Sequence, residues 1–431
     1  MSDLNKINSS VDKYLFYGFV LLIPLLILGP AIPDFIIISS SILFLFFKVK
    51  NFDSTKYKNY IIFFLIFYFL IIFSSLISEN QIWSLRSSIF YLRFFLYFLV
   101  VCYLVENYFF IFKYLLIVTS ATFIILFVDT FFQFIFKFNL IGFPISENGH
   151  RIASFFKDEY ILGTYTLRIF PIILFCLSFF KLRSNYQSYA HILVFFISGL
   201  IIILSGDRTP LLLFIIYAVL FFFLSEKKKN ILIIFISILI IFSLIILKNS
   251  NLKKRVIDQT IIELGLSDKN PGYFFEKKGL FFFSPQHEKL FNTSLNIFID
   301  NKFFGVGPNN FRNSCEAKQY KADSENHYNC YNHPHNLFVQ ILSECGIFVF
   351  LIFVFFYLYL IKYYLIFLTT NHNINHYLLD KKLIFLIISI LVNYFPIAPS
   401  GNFFNNNLSI FNFLSVALFF SYLKNQKREK K

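Results

Sequence analysis

The chain consists of successive apolar runs, most of them close to 20 residues long, separated by shorter polar segments. A run of about 20 apolar residues spans a bilayer as an α-helix, and a helix satisfies its own backbone hydrogen bonds in lipid. Hydrophobic residues make up 57% of the 431 residues, more than a soluble core of this size would bury. We therefore predict an all-α fold, a single polytopic integral membrane domain over residues 1–431.

About twelve runs have the length and composition of membrane helices. The predicted helices are Tyr14–Gly29, Phe35–Phe47, Tyr60–Ile77, Ser88–Val105, Tyr114–Phe136, Ile161–Phe180, Tyr189–Leu204, Pro210–Leu224, Ile231–Leu247, Leu337–Leu365, Leu383–Ile397 and Leu408–Leu423. Lys6 and Lys13 before the first run resemble the start of a signal peptide, but no small-residue cleavage pattern follows. We interpret that run as a retained helix, and an even number of helices places both termini on one side.

Basic residues in the connections predict the orientation. Every second connection is basic, and the basic positions are Lys48, Lys50, Lys56, Lys58, Lys181, Arg183, Lys227, Lys228, Lys229, Lys381, Lys382, Lys424, Lys427, Arg428, Lys430 and Lys431. These connections and both termini are predicted to be cytoplasmic, so the net charge of +15 indicates topology and not nucleic-acid binding. Residues 248–336 then form one large outer loop between the ninth and tenth helices, with short helices at Arg255–Leu264 and His287–Ile299.

The outer loop ends in the run Tyr331-Asn332-His333-Pro334-His335-Asn336, directly before an apolar helix. An exposed His335 with an ordinary pKa could take a proton from a sugar hydroxyl, and His333 stands beside it. The simpler alternative is a loop histidine followed by a helix cap. Asn336, Gln340 and Glu344 repeat every four residues, so they form a polar stripe on the helix. Glu344 is about two turns deep, where a carboxylate needs a partner such as an arginine.

Arginines on the predicted outer side stand out because basic residues are otherwise sparse there. They are Arg86, Arg93, Arg151, Arg168 and Arg208. Arg86 and Arg93 are two helical turns apart and could share a face of the fourth helix, whereas Arg168 lies about two turns inside the sixth. Each arginine alone is explained by snorkelling or by an ion pair, for instance with Asp158 or Glu159. Together they indicate an anionic ligand.

Two short motifs could contact a phosphate. Ser205–Pro210 predicts a tight hairpin with Arg208 at a helix N-terminus, where free N–H groups and a guanidinium suit an oxyanion; structural pairing is the alternative. Asp207 or Thr209 is the expected helix cap. Gly305 and Gly307 predict a turn, or a backbone approach to phosphate.

The five cysteines divide by position. Cys102, Cys176 and Cys345 lie within apolar runs and are predicted to be inert. Cys315 and Cys330 lie in the outer loop, where a disulfide between them would contribute roughly 3 kcal/mol; two free thiols are the alternative. His333, His335 and Cys330 lack a matching second ligand pair, so no metal site is predicted.

Several of these motifs together resemble the O-antigen ligase and O-antigen polymerase superfamily. They are His-Pro-His-Asn with Gln340, Glu344 and Gly346, the Ser-Gly-Asp-Arg hairpin, Asp158-Glu159-Tyr160 leading to Gly163 and Arg168, and Gly305-Val306-Gly307-Pro308-Asn309-Asn310-Phe311. The resemblance extends in order from about Arg86 to Phe350.

This resemblance implies a glycosyltransferase without metal or cofactor, in the bacterial inner membrane with its active site on the periplasmic face. The donor would be an undecaprenyl diphosphate-linked glycan, the acceptor a hydroxyl of lipid A-core or of a growing polysaccharide, and membrane lipids would surround both. His335 matches the family's essential histidine, proposed as the base, and Arg208 matches an arginine assigned to the diphosphate. A second arginine, early in the outer loop, is not obvious: His287 or Lys289 stands near its expected place.

From these residues we expect catalysis by His335, Arg208 and Glu344, with inversion at the anomeric carbon. Substrate contacts are expected from Arg86, Arg93, Arg151, Arg168, His287, Lys289, Gly305, Gly307, His333, Asn336 and Gln340. The sequence leaves ligase and polymerase open as alternatives. A transporter of polysaccharide or lipid-linked sugar is the alternative from another class, although the informative residues lie at the outer rim and not at mid-membrane.

Overall fold

The computed structural model describes residues 4–7, 9–146, 151–180, 184–224, 228–267, 280–281, 283–317, 319–320, 330–370 and 382–429. Every named element in these ranges is a helix, and one isolated β-bridge joins Phe138 to Pro144. The all-helical class predicted from the sequence is confirmed.

The first half of the chain forms nine α-helices. They are α1 (Ser10–Leu25), α2 (Ala31–Phe47), α3 (Lys58–Leu76), α4 (Gln81–Ile89), α5 (Leu92–Asn107), α6 (Ile111–Phe136), α7 (Leu162–Leu177), α8 (Ser184–Ser205) and α9 (Arg208–Leu224). Most of these helices are apolar around much of their circumference, which is the pattern of a helix surrounded by lipid and other helices.

The second half contains the long interhelical segment and the last bundle helices. They are α10 (Lys228–Lys248), α11 (Ser250–Lys253), a π-helical turn (Lys254–Asp258), α12 (Gln259–Glu263), α13 (Pro285–Asp300), α14 (Phe311–Ser314), α15 (Leu337–Thr370), α16 (Leu383–Asn393) and α17 (Asn406–Glu429). The two short helices predicted within residues 248–336 correspond to the α11–α12 segment and to α13.

Seven helices of the described ranges are long and apolar enough to cross a membrane. Phe235–Lys248 and Ser250–Glu263 form an eighth candidate, a pair bent by 104°. Four shorter apolar helices complete the bundle: α2, α7, α9 and α16. A multi-pass membrane protein is therefore confirmed, while the count of twelve spans and the placement of the large loop stay predictions.

The predicted fourth helix, Ser88–Val105, is interrupted near its start. Helix α4 ends at Ile89 and α5 begins at Leu92, with i to i+3 backbone hydrogen bonds across the break (Tyr91 to Ser88, 3.1 Å). Arg86 and Arg93 therefore lie on either side of the break, within Gln81–Asn107, which together is long and apolar enough to cross a membrane. The expectation that they share one helical face stays a prediction.

Helix α15 is broken at Gly346, and another segment of the chain packs against the break. Gly346 has a non-helical conformation with φ of 75°. The carbonyls of Ser343 and Glu344 accept hydrogen bonds from Val306 and Gly307 (3.1 and 2.7 Å), and the Ile347 amide donates to Lys302 (2.9 Å). Backbone groups freed by the break are thus satisfied by the segment 302–307, as buried polar groups must be.

These contacts bring the ends of several helices together at one end of the bundle, which we call the site end. Helix α3 ends there, since the Ser74 hydroxyl bonds the Glu344 carbonyl (3.2 Å), and α15 begins there. A small hydrophobic cluster separate from the main core covers it, and consists of Leu290, Ile297, Phe311, Cys315 and Tyr320. Helices α13 and α14 also pack on α15, so these two helices are fixed on the bundle.

Candidate functional site

Three imidazole rings form a row at the site end. The His335 ring lies between the other two, with ring centroids 4.1 Å from His333 and 5.7 Å from His287. His335 has a φ of 56°, a conformation uncommon outside glycine. Its carbonyl accepts a hydrogen bond from the Ser400 amide (2.7 Å), which holds this conformation directly before α15 begins. We call these three residues the histidine row.

Burial and mutual repulsion lower the pKa values in the histidine row. Burial, with the charge of His287, lowers the pKa of His335 to about 4, although a hydrogen bond that the ring donates to the Ser400 backbone opposes this. Burial also lowers the pKa of His333 to about 3. The expectation of an exposed His335 with an ordinary pKa was therefore wrong. The row is neutral near pH 7, so each ring offers a lone pair.

Three arginines lie at one end of the histidine row. Arg208 donates to the Glu263 carboxylate (2.7 Å), and Arg151 forms an ion pair with Asp207. Arg255 interacts electrostatically with both of these arginines and with both carboxylates. We call Arg151, Arg208 and Arg255 the arginine cluster; with its two acids it carries a net charge of 3 − 2 = +1.

The arginine cluster and the histidine row meet at His287. Burial lowers the pKa of His287, and the charge of Arg208 lowers it further. The charge of Arg208 therefore acts on His287, whose ring in turn neighbours His335. The arginine cluster and the histidine row are thus linked electrostatically through His287.

The hairpin before α9 builds the cluster differently from its prediction. Asp207, predicted as a helix cap, directs its carboxylate at Arg151 and at the Gly163 amide (3.1 Å). Burial raises the pKa of Asp207, and the Arg151 charge opposes the shift. Arg151 also lies over the Tyr160 ring, 4.2 Å from its centroid. The Asp-Glu-Tyr and Gly163 motif thus positions Arg151, and the predicted pairing of an arginine with Asp158 or Glu159 is replaced by Asp207.

Sequence reasoning missed Arg255. It lies in the π-helical turn Lys254–Asp258, where Nη1 donates to Gln259 (2.7 Å) and buried Nε has no protein partner within the described ranges. The available signal was a basic residue early in the large loop, at the start of the predicted short helix. Of the two residues expected to replace an arginine there, His287 faces the row. Lys289 lies two residues further along α13, and residues two apart in a helix point to different sides.

Arg312 was also missed, and it occupies the opposite end of the row. Its charge contributes to the lowered pKa of His333, after burial and the charge of His335. The guanidinium carbon lies 5.5 Å from the centroid of the Trp83 ring on α4. One arginine within a polar run of the loop carries no sequence signal of its own, because only folding brings it to His333.

Backbone amides donate hydrogen bonds to Glu344, and an arginine, Arg312, acts on it only through its charge. One carboxylate oxygen accepts from the Asn309 amide and from Gln340 (3.0 Å each), and the other accepts from the Phe311 amide (3.1 Å). The side chain is fully buried. These bonds hold the loop 305–311 against α15, so we remove Glu344 from the residues proposed to act on substrate.

Gln340 and Asn336 belong to the same structural network. Gln340 donates to Asn402 (2.9 Å) and accepts from the Phe403 amide (2.8 Å). Asn336 caps α15 by accepting from the Val339 amide (3.2 Å), and its amide group donates to the Pro396 carbonyl (2.7 Å). The simpler interpretation of Asn336 as a helix cap therefore fits the contacts, and the polar stripe attaches two loops to α15.

Gly305 and Gly307 form a turn whose amides are occupied. The Gly305 N–H donates to Asn301 (3.0 Å) and the Gly307 N–H to Glu344 (2.7 Å). A side chain at Gly305 would collide with the backbone of Glu344, and one at Gly307 with Ser78. Close backbone packing thus explains both glycines. Their N–H groups already donate within the chain, so they are not available as donors to a phosphate.

The remaining predicted arginines lie outside the cluster. Arg93 donates to Asp34 (2.6 Å) and to Asn406 (2.7 Å), so it ties α2, α5 and α17 together. Arg168 lies within α7 near the Phe411 ring (5.8 Å), and its buried Nε has no hydrogen-bond partner in the described part of the chain. Arg86 is exposed on α4, one turn from Trp83.

A disulfide links the histidine row to the loop that carries Arg312. Cys315 and Cys330 are bonded, with Cα atoms 5.2 Å apart, and Cys330 lies shortly before His333. Cys102, Cys176 and Cys345 are buried free thiols. A search of the described residues finds no group of three or more His, Cys, Asp or Glu arranged to hold a metal ion.

A cavity lined by aromatic rings lies elsewhere in the bundle. It has a volume of about 280 Å³, lies among α3, α5, α15 and α17, and is lined almost entirely by aromatic rings, among them Phe67, Tyr394 and Phe403. No cation, carboxylate or imidazole lines it. The described lining of this cavity therefore offers no group for proton transfer or for anion binding by a cation.

Comparison with known proteins supports the resemblance. The family model described as O-antigen ligase matches residues 193–354, a range that contains Arg208, Arg255, Arg312, the histidine row and Glu344. The family assignment predicted from the sequence is confirmed over this range. Trp83, Arg151 and Arg168 lie outside it. No curated protein sequence matches the chain.

Proposed function

We propose, from the O-antigen ligase domain that the chain carries over residues 193–354, that it transfers a glycan from undecaprenyl diphosphate to an acceptor hydroxyl. The reaction takes place on the periplasmic face of the bacterial inner membrane. The observation that carries the proposal is the convergence of the arginine cluster with the histidine row at His287. An anion-binding group and a neutral base on one surface are what this chemistry requires.

The reaction is a displacement at the anomeric carbon. The acceptor oxygen forms a bond to that carbon as the bond to the diphosphate oxygen breaks, and the electron pair leaves with undecaprenyl diphosphate. The proton of the acceptor hydroxyl passes to a ring nitrogen of His335. Attack from the side opposite the leaving group inverts the anomeric configuration. The proton is taken by a residue of the chain, so the step balances without a metal ion.

Stabilisation of the leaving group is the larger contribution. Charge develops on the diphosphate, and fixed cations aimed at developing charge are commonly the strongest catalytic feature of a site. The cluster offers three guanidiniums against two carboxylates, and the side chains of Arg208 and Glu263 are 24% and 27% exposed. The diphosphate therefore meets a surface of net positive charge. General-base help from His335 is the smaller contribution, because its lowered pKa makes the imidazole a weaker proton acceptor.

The acceptor distinguishes a ligase, which acts on lipid A-core, from a polymerase, which acts on a growing polysaccharide. Cells without the ligase accumulate long lipid-linked chains, whereas cells without the polymerase retain single repeat units. A gel of lipid-linked glycans from a deletion strain therefore separates the two activities.

The function is tested by substitutions in a deletion strain that carries the tagged protein. We expect His335→Ala and Arg208→Gln to abolish surface glycan while the protein remains inserted at normal levels. His191→Asn removes a half-buried imidazole on α8, and Lys157→Gln removes an exposed cation; both should leave the glycan unchanged. Near-normal glycan with both site variants would falsify the proposal. Movement of glycan across vesicles without transfer would favour a transporter.

A further inference from the structure

Trp83 is the single tryptophan of the chain, and it stands at the site end. It lies on α4 with 43% of its surface exposed. The electron-rich face of an indole attracts the polarised C–H bonds on the flat side of a sugar ring, so an exposed indole is a suitable surface for saccharide stacking.

The adjacent guanidinium of Arg312 forms no ion pair within the described residues, although its charge acts on the buried Glu344. Its buried Nε also has no hydrogen-bond partner among the described residues. A guanidinium carries five N–H donors in a planar fork that fits carboxylate or phosphate. Arg312 is therefore able to receive an anionic group of a ligand.

The loop and helix that carry this pair are fixed. The Asn309 side chain donates to Ser87 on α4 (2.7 Å) and accepts from Asn402 (2.6 Å). Glu344 holds the Phe311 amide next to Arg312, and the disulfide closes at Cys315. A site whose two contacting groups are already held in place loses little entropy when it binds a ligand.

The histidine row separates this pair from the arginine cluster. The charge of Arg208 reaches His287 at one end, the charge of Arg312 reaches His333 at the other, and His335 lies between. In the proposed transfer, the acceptor hydroxyl attacks from the side opposite the donor diphosphate and must contact the base. If the diphosphate occupies the arginine cluster, the acceptor approaches from the side of Arg312.

We infer that Trp83 and Arg312 form the acceptor subsite, which takes a saccharide with a carboxylate or phosphate substituent by stacking on the indole and pairing with the guanidinium. The inference rests on the proposed function and adds a substrate class and two binding residues. It differs from the simpler interpretation that Trp83 is an interfacial anchor and Arg312 a structural cation–π partner.

The test separates the two substrates in a transfer assay. Purified full-length protein is supplied with lipid-linked donor and with acceptor, both extracted from the deletion strain, and each is varied at a saturating level of the other. We expect Arg312→Gln and Trp83→Ala to raise the acceptor KM about 10-fold or more and to change the donor KM less than about 2-fold. Trp83→Phe and Arg312→Lys should restore part of the acceptor affinity. Arg255→Gln, in the arginine cluster on the donor side, should instead raise the donor KM and change the acceptor KM little.

A binding measurement complements the kinetics because Trp83 is the sole source of tryptophan fluorescence. Saturable quenching by the delipidated acceptor glycan is expected in the wild type, and we expect Arg312→Gln to weaken it. A shift in donor KM alone, unchanged kinetics in both variants, or no quenching in an active wild-type enzyme would overturn the subsite. Absence of transfer by the wild type, with donor and acceptor both present, would instead overturn the proposed function and this inference with it.

Discussion

The imidazole rings of His287 and His335 lie 5.7 Å apart at an interplanar angle of 72°, one on α13 and the other directly before α15. Their repulsion when charged, together with burial, lowers the pKa of His335. Because Arg208 acts on His287 in turn, protonation of His335 is coupled to the charge of the arginine cluster. The proposed catalytic base and the proposed anion-binding group are thus electrostatically linked through the His287 ring.

The first prediction concerns pH. His335 acts as a base only when neutral, and its pKa of about 4 in the folded protein is below the ordinary 6.5. We expect kcat/KM to stay nearly constant from pH 8 to about pH 6, with an acid limb well below 6.5. Between about pH 6.5 and pH 4 the unfolded chain binds more protons than the folded one, so stability should decrease as pH falls. A profile of kcat/KM against pH measures the first effect, and thermal midpoints in detergent measure the second. An acid limb at pH 6.5 would contradict the assignment of His335 as the base.

The second prediction concerns Glu344. Removing its carboxylate leaves the amides of Asn309 and Phe311 buried without an acceptor, and each unsatisfied donor costs about 1–3 kcal/mol. Glu344→Ala should therefore lower the thermal midpoint strongly, and Glu344→Gln by less, because one acceptor oxygen remains. Fluorescence-detected size exclusion after heating provides the measurement. Wild-type stability with abolished transfer would instead assign Glu344 to catalysis.

The third prediction concerns the break in α15. Gly346 has a φ of 75°, and a Cβ there would collide with the backbone of Phe303. Gly346→Ala should destabilise the protein by at least about 2 kcal/mol, since both the conformation and the contact oppose a side chain. Gly401→Ala is the matched control, because the nearest atom, on Leu408, would be 3.9 Å away. Equal thermal midpoints for the two variants would refute the proposed close packing.

The fourth prediction concerns the disulfide. The bond between Cys315 and Cys330 closes a short loop with a sequence separation of 15, for which chain entropy gives roughly 3 kcal/mol. The Cys315→Ser and Cys330→Ser double variant should lose most transfer activity, because His333 and Arg312 lose their common tether, while insertion of the helical bundle is retained. Transfer activity and the yield of detergent-extracted protein are compared between the double variant and the wild type. The Cys102→Ser variant, a buried thiol outside the loop, controls for the loss of a cysteine; full activity of the double variant would contradict the tethering role.

Local pattern predicted the helices well. Runs of about 20 apolar residues have one stable form in lipid, so α1, α3, α6 and α15 follow from composition and length alone. Hydrophobic spacing likewise predicted α13. The break between α4 and α5 was not predicted, because the apolar run continues through Phe90 and Tyr91 and only the hydrogen-bond pattern shows the interruption.

The sequence by itself determined the helical membrane class and the family motifs and singled out Arg208 and His335 as candidates, because each depends on residue type and on spacing along the chain. The tertiary structure decided which polar residues have partners within the chain. Glu344, Gln340 and the two turn glycines are occupied by backbone partners distant in sequence, whereas Arg255 joins the arginine cluster and Arg312 approaches the histidine row only after folding. A hydrogen-bond partner or a neighbouring charge is a property of distances in space, and those distances are fixed by how the helices pack.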